Sequence, residues 1–207
     1  MKHSWLKKTG SDKLIIFFNG WGMDDFIVSH LDCEDYDVLV LYDYNNLDIN
    51  FDIEQYKEKH VVAWSMGVLV STLIDIKDIK TRTAVCGTPY PIHNAYGIPE
   101  RIYNLTIKNF DEKTSQKFME RMFTEKPDIE NFSSRSTESK KSELVKMLEY
   151  KPAKDFCFTK AIIADTDLII PAKNQLNFWK TQKTSIEQIH SGHCPFFLYK
   201  KWSELIG

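Results

Sequence analysis

The sequence predicts an α/β fold: a mostly parallel sheet flanked by helices, with one helical insertion. Three observations carry this. Short runs of strand length recur at 14–18, 38–42, 60–64, 81–87 and 160–165. Segments with apolar residues at helical spacing fall between them. Most of the runs are apolar throughout rather than alternating, as parallel strands covered on both faces must be.

Taken in order, LIIFF (14–18) is the first central strand, and SWLKK before it reads as its hairpin partner across TGSDK. VLVLY (38–42), HVVAW (60–64), TRTAVCG (81–87) and KAIIAD (160–165) are the next four strands, and TSIEQIH (184–190) alternates as a sixth. Helical patterns fall at about 24–31, 52–59, 66–76, 172–180 and 195–206. Pro195 suits the first turn of the last of these, where a missing N–H costs nothing. From about 93 to 158 no good strand run occurs. Phe118 and Met122, and Met119 and Phe123, stand four apart, and Leu144, Val145 and Leu148 share a side, so amphipathic helices are expected there. NFSSRSTESKKS (131–142) between them reads as a loop. The expectation is one domain over 1–207 with a helical lid insertion at about 93–158.

Composition narrows the class. The chain has 207 residues, 43% hydrophobic and 27% charged, which is globular rather than disordered. Its net charge of −2 provides no global basic field for nucleic acid or an anionic membrane, and neither is expected as a partner. Residues 1–12 lack the apolar core of a signal peptide, and no apolar run approaches the length of a transmembrane span. Cys33, Cys86, Cys157 and Cys194 are widely spaced with no C-x-x-C, so reduced thiols in a cytoplasmic protein are expected. The charges are uneven. Residues 23–60 hold eleven acidic residues and two lysines, while 135–160 hold seven basic residues against four acids. Either run reads by default as a solvated face.

The chemistry centres on VVAWSMGVLV (61–70). Here a buried strand turns directly into a helix, with Ser65 at the joint and the small Ala63 and Gly67 two residues to either side. That turn lifts a side chain out of the sheet and sets helix N–H groups beside it. A serine nucleophile needs a base, an acid to orient the base, and donors for the oxyanion. In a parallel sheet these come from the carboxyl ends of different strands. The order Ser, Asp, His is present. Asp167 lies just beyond the fifth strand, with Asp165 as the competing acid. His193 directly precedes the last helical pattern, and His190 reads better as a structural residue. Met66 can supply one oxyanion N–H from the helix start. The other would come from FFNGWGMDD (17–25), where Gly20 and Gly22 free the backbone around Trp21, whose ring could also wall an acyl pocket. Singly, each residue reads as ordinary structure. Their co-occurrence in one order is what points to a serine hydrolase. HSGHC (190–194) has no distant acid to complete a metal set, and no metal or other cofactor is expected.

FFNGWGMDD, AWSMGV and the terminal SGHCPF together resemble the BioG class of pimeloyl-acyl-carrier-protein methyl ester esterases, α/β-hydrolases of biotin synthesis, over nearly the whole chain. The NGWGMD loop is the most specific part. The elbow departs slightly, with Ala63 where many hydrolases have glycine. The resemblance implies Ser65 as nucleophile, His193 as base, Asp167 as acid, and Trp21 and Met66 as oxyanion donors. It implies a substrate: the methyl ester at the far end of a pimeloyl chain on acyl carrier protein, cleaved with release of methanol. An extended acyl chain suits an apolar cleft between insertion and sheet, with Phe118, Met119, Met122 and Phe123 as pocket residues or as plain packing. Acyl carrier protein is acidic, so Arg121, Arg135, Lys140, Lys141 and Lys146 of the insertion are expected to recruit it.

Overall fold

In the computed structural model, which describes residues 1–125 and 133–206, seven strands form one sheet in the order β1-β3-β2-β4-β5-β6-β7. They are β1 (Lys2–Lys7), β2 (Lys13–Phe18), β3 (Asp37–Tyr42), β4 (Glu58–Trp64), β5 (Ile79–Val85), β6 (Lys160–Ala164) and β7 (Ser185–Ile189). All neighbours are parallel except β1, which lies antiparallel to β3 with Lys2 opposite Tyr42. The expected hairpin of SWLKK with LIIFF is therefore not formed. The connection from β1 to β2 skips one position, which β3 fills, so β1 lies on the outer edge of β3. This leaves β2 with two parallel partners and buries Leu14 to Phe18 completely.

The helices are α1 (Gly67–Leu73), α2 (Glu100–Lys108), α3 (Glu112–Glu120), α4 (Thr137–Met147) and α5 (Ala172–Trp179). Three expected helices are not built. Residues 24–31 contain only a single 3-10 turn, Asp25–Val28, and 52–59 is a turn leading into β4. In 195–206 there are two separate 3-10 turns, Phe196–Leu198 and Trp202–Glu204, with Pro195 capping the first. Each of these short segments buries at most a few large side chains, among them Ile27 and Val28 in the first, Tyr56 in the second and Phe196 and Trp202 in the third, and none has the length that sustains a helix.

The segment between β5 and β6 carries α2, α3 and α4, and no strand occurs in it among the described residues. Part of the expected loop 131–142 is helix: Ser136 accepts from the Ser139 N–H as N-cap, and α4 begins at Thr137. Residues 131 and 132 lie outside the described residues. The buried face of α4 is Lys140, Glu143, Leu144 and Met147, whereas Val145 and Leu148 are 46% and 40% exposed. The expected stripe of Leu144, Val145 and Leu148 therefore holds only for Leu144. Among the described residues no helix is long and apolar enough to cross a membrane.

Candidate active site

The joint between β4 and α1 is built on close approach. Ser65 has φ +56°, a left-handed backbone that a non-glycine residue rarely adopts, and its N–H extends the ladder to the Val85 carbonyl at 2.9 Å. A Cβ on Gly67 would stand 2.3 Å from the Phe18 carbonyl oxygen, and one on Gly87 would stand 2.5 Å from that of Ser65. Glycine at 67 lets α1 cross the end of β2 in van der Waals contact. Glycine at 87 lets the chain leaving β5 pass behind the serine.

Asp167 follows β6 in a loop that it holds together itself. Its Oδ1 accepts from the N–H groups of Ile169 and Ile170, at 2.8 and 2.9 Å, and Gln175 of α5 donates to its Oδ2 at 2.9 Å. The remaining approach to Oδ2 is taken by His193 Nδ1 at 2.7 Å. A carboxylate gathering this many donors is an acceptor only, so Nδ1 carries the ring proton. The Nε2 lone pair then faces Ser65 Oγ, 2.8 Å away. All three side chains are buried. Asp165, the competing acid, accepts instead from His190 Nδ1 at 2.9 Å. Both are exposed. The bond from His190 lowers the Asp165 carboxyl, and the bond to Asp165 raises the His190 imidazole.

Trp64, the last residue of β4, holds the two loops beside this relay. Its Nε1 donates to the His193 carbonyl at 2.8 Å, and a Cβ on Gly20 would stand 2.7 Å from its ring. The Gly20–Gly22 loop turns with Gly22 at φ +75°. The Trp21 indole donates to the Lys140 carbonyl at 2.8 Å and meets Phe118 and Phe110 edge-on, with ring centroids 4.8 and 5.3 Å away. The backbone N–H groups of Trp21 and Met66 have no acceptor among the described residues. The end of α3 reaches the histidine loop too. Cys194 N–H donates to the Met122 carbonyl at 2.9 Å, and a Cβ on Gly192 would stand 2.6 Å from that oxygen. Met119, Met122 and Phe123 are buried, and the half-buried Phe118 is the one that meets the Trp21 ring.

A family model described as pimeloyl-ACP methyl esterase BioG matches residues 1–205. The chain belongs to the BioG family. Its fold superposes on the crystal structure of BioG from Haemophilus influenzae with a TM-score of 0.92 at 30% identity, covering 100% of both chains. A malonyl-[acyl-carrier protein] O-methyltransferase of Bacteroides fragilis is 35% identical over 191 residues, 86% of this chain; this chain spans 39% of that relative's length. A thermophilic esterase from Thermogutta terrifontis, 14% identical, matches with a TM-score of 0.65 over 93% of this chain and 86% of its own, a likeness of fold alone. The BioG fold is that of the α/β-hydrolases, and the family is one of esterases.

Several residues around the site carry no sequence signal of their own. Trp64, Gln175, Phe110 and Glu143 act through contacts between elements distant in the chain, and single-sequence periodicity reports none of these. Trp64 reads in the sequence only as the last residue of a buried strand. The basic residues of the insertion are placed differently from expectation. Arg135 and Lys140 are 9% and 8% exposed, and Arg135 pairs with Asp43 at 3.0 Å and Glu143 at 2.6 Å. Lys146 pairs with Glu149, Lys141 reaches toward the Phe110 carbonyl, and Arg121 donates to that of Leu168. Two of the five proposed recruiting residues are thus internal.

Proposed function

We propose that this chain is a serine esterase that hydrolyses the methyl ester of pimeloyl-acyl carrier protein to free pimeloyl-acyl carrier protein and methanol. The observation that carries the reading is the unbroken hydrogen-bond relay from Ser65 Oγ through His193 to Asp167 in a member of an esterase family. Ser65 Oγ attacks the ester carbonyl carbon while His193 Nε2 takes its proton. The developing oxyanion accepts from the Trp21 and Met66 N–H groups, which have no acceptor among the described residues. Collapse breaks the bond to methoxide, and the same imidazolium returns the proton to release methanol. A water deprotonated by His193 then cleaves the acyl-serine. Asp167 keeps the imidazole in the reactive tautomer and balances its transient charge.

The family description supports the substrate. So does the name of the Bacteroides relative: a methyl group added to a carrier-bound dicarboxylate forms the bond that this reaction removes. In this reading Phe118, Met119, Met122 and Phe123 contact the acyl chain, which the edge-on packing of Phe118 against Trp21 supports. Arg121 and Lys141 are the two exposed basic side chains of the insertion group left to meet an acidic carrier. The test is incubation with pimeloyl-carrier-protein methyl ester, read for free carboxylate with the carrier thioester intact. Ser65→Ala should lose on the order of 10³-fold or more in turnover while keeping the fold, and a fluorophosphonate should label Ser65. Release of the carrier instead of methanol would identify a thioesterase. Neither labelling nor turnover would leave a non-catalytic binder.

A further inference from the structure

A carboxylate in the core needs a reason, because a pair of apolar residues fills the same space without desolvating a charge. Glu143 on α4 is completely buried. Its Oε2 accepts from the Gly22 N–H at 3.2 Å and from Arg135 Nη1 at 2.6 Å, and its Oε1 accepts from the Tyr44 N–H at 2.9 Å. Both amides belong to loops at the carboxyl ends of strands, after β2 and β3. Tyr44 in turn donates its hydroxyl to the Asn19 carbonyl at 2.9 Å, and Asn19 Oδ1 accepts from the Gly20 N–H at 2.8 Å. Burial pushes the Glu143 carboxyl up, and the Arg135 guanidinium opposes that rise.

We propose that Glu143 is a positioning residue for the oxyanion site: it fixes the Trp21–Gly22 peptide and so, across the Trp21 Cα, restrains the preceding Gly20–Trp21 peptide that carries the Trp21 N–H. This rests on the reading of Trp21 and Met66 as oxyanion donors. The peptide after Trp21 is held by the Glu143 carboxylate, and the Trp21 indole is held one helical turn away by the Lys140 carbonyl. Trp21 is therefore held by α4 at its ring and at the peptide that follows it. Gly22, at φ +75°, lacks a side chain that would otherwise restrict that peptide, so an external acceptor has to fix it. An ionised carboxylate can accept from Gly22, Tyr44 and Arg135 together. An amide in its place has one acceptor oxygen and must present its NH₂ to one of the same donors.

The test uses the full chain and a short soluble ester such as p-nitrophenyl butyrate. Glu143→Gln should lower kcat by about 10- to 100-fold with KM within about two-fold, since removing an oxyanion donor outright costs about 10²–10³. The inhibition constant of butylboronic acid, whose tetrahedral adduct places a hydroxyl at the oxyanion position, should rise by a similar factor. Glu143→Asp keeps the charge opposite Arg135 but withdraws it by one methylene, and should give the same split if the glutamine variant folds poorly. Thr184→Val removes a hydroxyl that donates to the Phe158 carbonyl at 3.0 Å, where β6 and β7 begin and away from α4. It should lower Tm and leave kcat and boronate affinity unchanged. Wild-type kcat in both Glu143 variants, or losses that follow Tm equally in all three proteins, would overturn the proposal. A wild-type enzyme indifferent to the boronate would instead fault the serine-esterase reading.

Discussion

Gly67→Ala is a direct probe of how the fold aims Ser65, the proposed nucleophile. The added methyl would stand 2.3 Å from the Phe18 carbonyl oxygen and 2.4 Å from that of Asn19. Both are backbone atoms at the end of β2, which is hydrogen-bonded on both sides in the middle of the sheet and cannot yield. Restoring even 3.0 Å to Phe18 requires the start of α1 to retreat by 3.0 − 2.3 = 0.7 Å. Ser65 and the Met66 N–H precede that residue directly and move with it. Overpacking of this kind costs about 1–3 kcal/mol. For a chain of this length that is roughly 2–12 °C in Tm, at about 2–4 °C per kcal/mol. A misplacement near 1 Å costs about 10²-fold in rate, so kcat toward a short ester should fall by roughly 10- to 100-fold with the fold retained. Circular dichroism melts and steady-state kinetics measure both. Gly10→Ala is the control. Its φ of +83° makes alanine strained, but no atom lies within 4 Å of the added methyl, and it sits at the β1–β2 turn. That variant should lose stability without losing kcat. A Gly67→Ala enzyme with kcat within two-fold of wild type would refute the claim that this crossing sets the serine.

Asp167→Asn should lower kcat by about 10⁴-fold by disturbing the tautomer of His193, whereas Asp165→Asn, which breaks only an exposed bond to His190, should stay within about two-fold; equal losses would put the acid elsewhere. Lys141→Glu should raise KM for the carrier-bound ester at low salt, an effect fading as ionic strength rises, with no change for a soluble ester. Lys140→Glu, placed inside, should lower Tm and both activities together.

The parallel core was legible in the sequence because its strands are buried on both faces. LIIFF, VLVLY and HVVAW leave no polar alternation to misread, and the observed strands start and stop within two residues of those runs. The strand-to-helix joint at Ser65 was legible for a related reason, since the period changes within one residue. The edge was not. SWLKK is adjacent to LIIFF in sequence, so a local hairpin is the economical reading. The choice of β3 as partner depends on the space that β4 occupies on the other side of β2. The three helices that failed to form, at 24–31, 52–59 and 195–206, had apolar residues at permissive spacings without the length that makes a helix self-supporting.

The charge pattern shows why position along a chain is a poor guide to surface. The acidic run 23–60 and the basic run 135–160 each read alone as a solvated face. In the fold they meet. Asp24 Oδ2 accepts from the Ser134 N–H and hydroxyl at 2.7 and 2.8 Å, and Asp43 faces Arg135 at 3.0 Å with Asn45 at its side. The seam joins the loops after β2 and β3 to the start of α4, and Glu143 extends it beneath Gly22. Charges of opposite sign, far apart in sequence, are therefore spent inside on docking the insertion against the Trp21 loop. An excess of basic residues in an insertion predicts an acidic partner. It leaves open whether that partner is a second protein or the chain's own acidic run. Burial decides it residue by residue: Arg135 turns to the chain's own acids, while Arg121 and Lys141 stay exposed.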